Sequence, residues 1–292
     1  MKKVLCISEC CCDLIFGGLD GLPNLGEERY GTHFSMQAGG GANTAVLLQR
    51  CGVPTAYWTL LGDDDAGRIV RASLENSGLS LIRHEHTPCR TPVSAVLSAQ
   101  GDRAFASFAQ PCTLVEDYDA LERAIRDADI VHTYLGYCAS YPIAQLCERY
   151  GTLLSADTSF CDARTELFDT VLPHCDYWKG NEDEALRLSG KSSVSEALDA
   201  IASRVKAAAV ITRGARGSIA KAHGQAPIEQ EAVAYGAFVD ACGSGDAFAA
   251  GFLKGVCRGE PLFACLLGGA KLSGRVVTAF GGCPESIPVD DV

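Results

Sequence analysis

The sequence predicts a three-layer α/β/α domain with a mostly parallel central sheet, helices on both of its faces, and a small inserted β-sheet acting as a lid. Two observations carry this. From about Gly52, short apolar runs alternate with helical patterns: Val53 to Leu60 then Ala66 to Asn76, Ile130 to Leu135 then Ser140 to Tyr150, Thr152 to Ala156 then a helix toward Phe168. That order is what parallel strands with crossover helices produce. Two regions break it, at about 14–37 and 90–110, and VSAVLSAQGDRAFASF in the second reads as two strands joined at Gly101-Asp102. Tight turns cannot extend a parallel sheet, so these regions are expected to form a small antiparallel sheet projecting from the main body.

The remaining elements follow in order. MKKVLCIS reads as a first strand, because Glu9 and Asp13 interrupt the apolar run before a signal-peptide core of useful length can form. Ser244 to Val256 and Pro261 to Val277 read as two long helices lined with Ala, Leu and Gly. No repeat, low-complexity tract or Pro/Ser-rich linker appears, so residues 1–292 are expected to form one domain with the lid inserted in it.

Composition narrows the partners. The 292 residues carry a net charge of -11, and no basic run exceeds the Lys2-Lys3 pair, which argues against a nucleic-acid backbone or an anionic membrane surface. No apolar segment approaches the roughly 20 residues that span a bilayer. A small-molecule ligand and a cytoplasmic location are the expectation. The 15 cysteines are an odd number without paired CxxC spacing, so most are expected to be buried free thiols. In Cys10-Cys11-Cys12, neighbouring strand residues point to opposite faces and cannot easily converge on one ion.

The segment VDACGSGDAFAAGFL, Val239 to Leu253, is the most informative stretch. Gly243-Ser244-Gly245 leads directly into a helix, and small residues there leave backbone N–H groups open to an anion such as phosphate. Asp246, in the first turn, is stabilised by the helix dipole and lies where an attacking hydroxyl can meet a phosphoryl group, so it is a candidate general base. The alternative is that Gly-Ser-Gly-Asp only caps the helix. Upstream, AGGGANTAVLLQRCG is followed by LLGDDDAGR; glycines 39 to 41 permit close backbone approach by a ligand, and Asn43 offers hydroxyls a donor and an acceptor.

These two segments, in this order, resemble the N- and C-terminal signatures of the ribokinase-like, or PfkB, carbohydrate kinase family, and the resemblance runs from the first strand to Pro288. Ala241 stands where the family usually has Thr and Ser244 where it usually has Ala; neither change removes the base or a glycine. The resemblance implies that Asp246 is the catalytic base and that the amides of Gly243, Ser244 and Gly245 form an anion hole. It implies that Asp13, placed just after the first strand, binds substrate hydroxyls together with Gly39, Gly40 and Asn43. In KGNEDEA, Asn181 and Glu184 match an NxxE element that organises Mg²⁺ through water near the transferred phosphate; without the resemblance, the same residues read as a capped acidic helix start. Thr212, Gly214 and Gly217 in ITRGARGSIA resemble the ATP-binding turn, while Arg213 and Arg216 face either phosphates or solvent. Gly282 and Ser286 in GGCPESIP resemble a loop that holds a monovalent cation such as K⁺ with the segment around Asp240.

The reaction implied is ATP-dependent phosphorylation of a primary hydroxyl on a small sugar. Family members act on ribose, fructose, ketodeoxygluconate, phosphosugars, adenosine or pseudouridine. Phe105 and Phe108 in the lid offer faces for a nucleobase, which keeps a nucleoside kinase as the second reading, and the segment His132 to Gly136 is a further candidate pocket wall. A non-catalytic sugar or nucleotide sensor is the reading from another class, opposed by the presence of Asp246 with its glycines. Exposed lid edges invite pairing between two copies in a homodimer.

Overall fold

A computed structural model describes residues 1–85, 89–99, 102–158 and 164–289. Its strands are β1 (Val4–Ile7), β2 (Cys10–Leu19), β3 (His33–Gly40), β4 (Thr55–Leu61), β5 (Ser80–Glu85), β6 (Val93–Ala99), β7 (Asp102–Phe108), β8 (Ile130–Tyr134), β9 (Leu153–Asp157), β10 (Tyr177–Asn181), β11 (Ala208–Thr212), β12 (Ser218–Ala222) and β13 (Ile228–Gln230). The helices are α1 (Ala42–Arg50), α2 (Asp65–Asn76), α3 (Tyr118–Arg126), α4 (Leu135–Ser140), α5 (Ile143–Tyr150), α6 (Thr165–Thr170), α7 (Glu182–Ser189), α8 (Val194–Ala202), α9 (Ser244–Arg258) and α10 (Leu262–Val276).

Nine strands form the central sheet in the order β13-β12-β11-β10-β9-β8-β1-β4-β5. The seven from β11 to β5 run parallel, and β12 and β13 add an antiparallel edge. Alternate residues feed two separate cores, as a sheet covered on both faces requires. Along β1, Val4 and Cys6 pack with α1, α9 and α10, whereas Leu5 and Ile7 pack with the opposite layer that includes α3, α5 and α8. Among the described residues, no helix is long and apolar enough to cross a membrane.

The predicted lid is present as a four-stranded sheet, β3-β2-β6-β7, with three corrections. It starts at Cys10 and ends its first arm at Gly40, wider than 14–37. It is mixed, since β2 pairs with β6 in parallel while the β2–β3 and β6–β7 pairs are antiparallel. Asp13 consequently lies inside a lid strand, not on the loop after the first strand. Of the expected Gly101-Asp102 turn, Gly101 lies outside the described residues and Asp102 opens β7.

The helix expected over Ser140 to Tyr150 is broken: α4 starts directly after β8, and Pro142, lacking an amide proton, starts α5 afresh. Of the helix expected toward Phe168, residues 159–163 lie outside the described set and the rest is α6. Among the described residues, twelve cysteines are free, and of these all but Cys11 are buried. Cys89 and Cys112 instead form a disulfide across the base of the β6–β7 arm, which the expectation of free thiols did not include.

Candidate active site

Register along the carboxyl edge of the parallel strands sets out one wall of the site. Tyr134 of β8 sits beside Asp157 of β9, Asp157 beside Lys179 of β10, and Asn181 of β10 beside Thr212 of β11. Above this edge stands the N-terminus of α9. Gly243 precedes it in the left-handed conformation at φ 68°, and Asp246 occupies its first turn.

Asp246 is partly buried and accepts a hydrogen bond from Asn43 Nδ2 at 3.0 Å. Asn43 lies in the first turn of α1, so the starts of α1 and α9 meet, and the Thr44 hydroxyl adds a contact to the Asp246 carbonyl at 3.4 Å. The C-terminal loop completes the junction. A Cβ on Gly243 would lie 2.3 Å from Gly282 Cα, and one on Gly282 would lie 2.3 Å from Asn43 Nδ2. The backbones at Gly243 and Gly282 therefore touch where a side chain would hold them apart, and Gly282 packs equally closely on the Asn43 side chain. Burial pushes the Asp246 carboxyl up to about 6; the Asn43 hydrogen bond and Lys179 oppose this, and the charges of Asp157 and Asp13 add to it.

Asp13 faces the same space from the lid. It is 4% exposed, packs against Gly39 so closely that a Cβ there would fall 2.0 Å from Oδ2, and accepts from the Cys11 thiol at 3.1 Å. Burial likewise raises its carboxyl to about 6, with the Cys11 hydrogen bond lowering it and Asp240 raising it. Gly40 turns the chain at φ 62° near Cys11. Two buried polar atoms bordering this region have no partner, Gln37 Nε2 and Asn43 Oδ1.

Asn181 and Glu184 form a reciprocal capping box: Glu184 N donates to Asn181 Oδ1 at 2.9 Å, and Asn181 N donates to Glu184 Oε2 at 2.8 Å. The capped-helix reading is thus realised, and the same bonds fix the Glu184 carboxylate at the sheet edge. Burial raises the Glu184 carboxyl, against the Asn181 amide and Lys179. Lys179 pairs with Asp157 at 2.7 Å, the side chains being only 13% and 5% exposed. Burial disfavours the Lys179 ammonium, but Asp157, Glu184 and Asp246 outweigh it and hold the group above its usual range. Behind Asp157, His132 bonds Ser155 at 3.2 Å, and burial lowers its imidazole against the attraction of Asp157.

Thr212 reaches the Gly180 carbonyl at 3.4 Å, and Gly214 and Gly217 take positive φ in the turn that follows. The two arginines between them are committed to carboxylates: Arg213 to Glu229 at 2.9 Å, Arg216 to Glu182.

Asp240 is 1% exposed and accepts from the amides of Cys242 at 3.0 Å and Gly281 at 3.1 Å. Among the described residues, no cationic side chain pairs with it. Gly282 adjoins it through that loop, whereas Ser286 is exposed. Arg50, at the end of α1, gathers the carbonyls of Cys283, Pro284, Glu285 and Ile287 and so anchors the loop from outside. Sequence reasoning passed over Lys179, Asp157, Cys11 and Arg50. Only the first two left a signal, as charged residues at the ends of apolar strands.

The family model described as pfkB family carbohydrate kinase matches residues 1–289. The chain is 29% identical over 255 residues to fructoselysine 6-kinase of Escherichia coli K12, covering 85% of this chain and 92% of that protein. It is 24% identical over 296 residues to a nucleoside kinase of Methanocaldococcus jannaschii, covering 100% and 95%. Among solved structures, Arabidopsis thaliana ribokinase complexed with ribose and ATP superposes with a TM-score of 0.81 at 22% identity, covering 98% and 96%.

Proposed function

Because this chain belongs to the pfkB carbohydrate kinase family and is an ATP-dependent kinase of sugars or nucleosides, we propose that it phosphorylates a primary hydroxyl of a small sugar with Asp246 as general base. The observation that carries this is the Asp246 site: a carboxylate raised to about 6, in the first turn of a helix opened by a left-handed glycine, held by Asn43. A base with that affinity is ionised at neutral pH yet still takes up a proton readily.

Asp246 accepts the hydroxyl proton as the oxygen attacks the γ-phosphoryl of ATP in line; the new O–P bond forms, the bond to ADP breaks, and the proton later leaves to solvent. The amides of Gly243 and Gly245 are left to face the developing charge, whereas that of Ser244 donates to the Ala241 carbonyl at 3.3 Å. Thr212, Gly214 and Gly217 line the nucleotide side. Asn181 and Glu184 fit Mg²⁺ held through water, being oxygen donors at the sheet edge with one Asp157 oxygen beside them unpartnered. Bound there, Mg²⁺ would neutralise phosphate charge. A monovalent cation beside Asp240 is supported by that carboxylate's burial with only amide partners.

Hydroxyl recognition falls to Asp13, Gly39, Gly40 and Asn43, with Gln37 Nε2 and Asn43 Oδ1 free to bond. Sheet register favours a sugar over a nucleoside. Phe105 pairs with Val96 on the Asp13 side of the lid, whereas Phe108 pairs with Val93 on the opposite side, so the two rings cannot clasp one base. Fructoselysine and fructose head the panel, since fructoselysine 6-kinase is a relative over most of its length.

The test is ADP release with ATP, Mg²⁺ and K⁺ across free sugars, fructose-amines, phosphosugars and nucleosides, repeated with Na⁺ replacing K⁺. Turnover of a sugar with at least a tenfold higher kcat/KM than any nucleoside is the expected result, and the reverse preference refutes the sugar reading. A fall in rate with Na⁺ is expected from the Asp240 site; equal rates reject it.

A homodimer through the lid is proposed on the same footing. The lid face away from Asp13 exposes Phe16, Phe34, Met36 and Phe108, with the Phe16 and Phe34 rings 5.0 Å apart. Sedimentation velocity is expected to give twice the chain mass, and a Phe34→Glu variant to give the monomer; a wild-type monomer at micromolar concentration excludes it.

A further inference from the structure

We propose that Lys179 is a catalytic residue whose ammonium contacts the transferring phosphoryl group, with Asp157 as the positioning residue that aims it. This rests on the phosphotransfer reading above.

The placement comes from strand alternation. Tyr177 of β10 packs on the α9 side of the sheet while Trp178 packs on the other, so Lys179 points toward α9. Its Nζ lies 3.9 Å from where a Cβ on Gly245 would stand, which puts a positive charge against the amides of the anion hole. Of its three donors, one is taken by Asp157 at 2.7 Å. Asp157 in turn keeps Oδ1 buried and unpartnered.

A purely structural pair at this depth would be expected to close its hydrogen bonds, because a buried ion pair seldom stabilises a fold more than apolar side chains of similar volume. This pair keeps one carboxylate oxygen unpartnered, and its ammonium lies against the helix start at Gly245. Phosphoryl transfer uses a cation so placed: negative charge spreads over the equatorial oxygens of the transferring group, and a fixed cation beside the amides stabilises it without giving up a proton. Asp246 supplies the proton acceptor, and Lys179 supplies compensating charge on the other side of Gly245. The acceptor O–H and the P–O bond to ADP break, the new O–P bond forms, and Lys179 keeps all its protons.

Lys179→Met alone leaves Asp157 buried and unpaired, so the informative variant is Lys179→Met combined with Asp157→Asn, with Lys179→Arg beside it. Two rates are measured for each: ADP release with the best acceptor, and slow ATP hydrolysis without acceptor, which needs no knowledge of the sugar. The double variant is expected to fold, to lose kcat by about 10²–10³-fold in both assays, and to keep the acceptor KM within about threefold. Lys179→Arg is expected to recover part of the rate. A double variant with kcat within threefold of wild type overturns the proposal; one that does not fold assigns the pair to the core and overturns it equally. A wild-type protein that turns over ATP in neither assay refutes the phosphotransfer reading itself, whereas active wild type with active variants refutes only the role of Lys179.

Discussion

Asp246→Ala is expected to lower kcat by about 10³-fold, within the range that positioned general bases contribute, while ATP affinity stays within threefold of wild type. The carboxylate is partly buried beside Asn43 and projects from α9, a helix whose own packing runs through Ala247, Phe248, Ala250 and Leu253. Removing it leaves the scaffold intact. Asp246→Asn sharpens the test through stability. The native carboxyl is held at about 6, above its unfolded value, so the fold takes up a proton as pH falls from about 6 to about 4 and is penalised for the charge at higher pH. At pH 7 the Asn variant should therefore melt a few degrees above wild type, and the difference should vanish by pH 4. Near-normal turnover in either variant would remove Asp246 as the base.

The same raised carboxyl sets the pH profile. The acid limb of kcat/KM should fall through about pH 6, steeply, because Asp13 is raised to about 6 as well. Asn43→Ala removes a bond that favours the charged form, so its acid limb should move to higher pH. A limb near pH 4 in the wild-type protein would contradict both carboxylates.

Gly243→Ala is expected to cost at least 100-fold in kcat/KM and several degrees of melting temperature. Two effects add. A non-glycine residue at φ 68° costs about 1–2 kcal/mol, and the new Cβ would sit 2.3 Å from Gly282 Cα and 2.5 Å from its carbonyl oxygen. Both neighbours are backbone, so the clash moves either the Gly281-Gly282 loop or the start of α9, and with them Asn43 and the anion-hole amides. Gly190→Ala separates the effects: Gly190 has φ 64° with no atom within 4 Å of an added Cβ, so it should lose stability without losing activity. Ser244→Ala should stay within twofold of wild type. If Gly243→Ala behaves like Gly190→Ala, the close junction at Gly282 has no catalytic consequence.

Legibility in the sequence followed the range of the physics. The alternation of apolar runs with helical patterns is a local signal, and it located β4, β8, β9 and both long C-terminal helices to within two residues at each end. The α9 start and the Asn181–Glu184 box were legible for the same reason, since a helix cap involves residues only three apart. Arg213 and Arg216 show the limit. Their sequence neighbourhood suits phosphate as well as solvent, and only the positions of Glu229 and Glu182 commit them.

What the sequence determined by itself was the class of fold, the presence of a lid and the identity of a carboxylate behind a glycine-rich helix start. The tertiary structure decided that Asp13 belongs to a lid strand, that Asn43 holds Asp246 across 203 residues, that Lys179 meets Asp157, and that Gly243 and Gly282 touch. Periodicity and capping encode contacts within a turn or a strand. Which distant side chains share a buried space depends on how the layers close, and the same closure takes Asp13 and Asp246 out of water and lifts both to about 6.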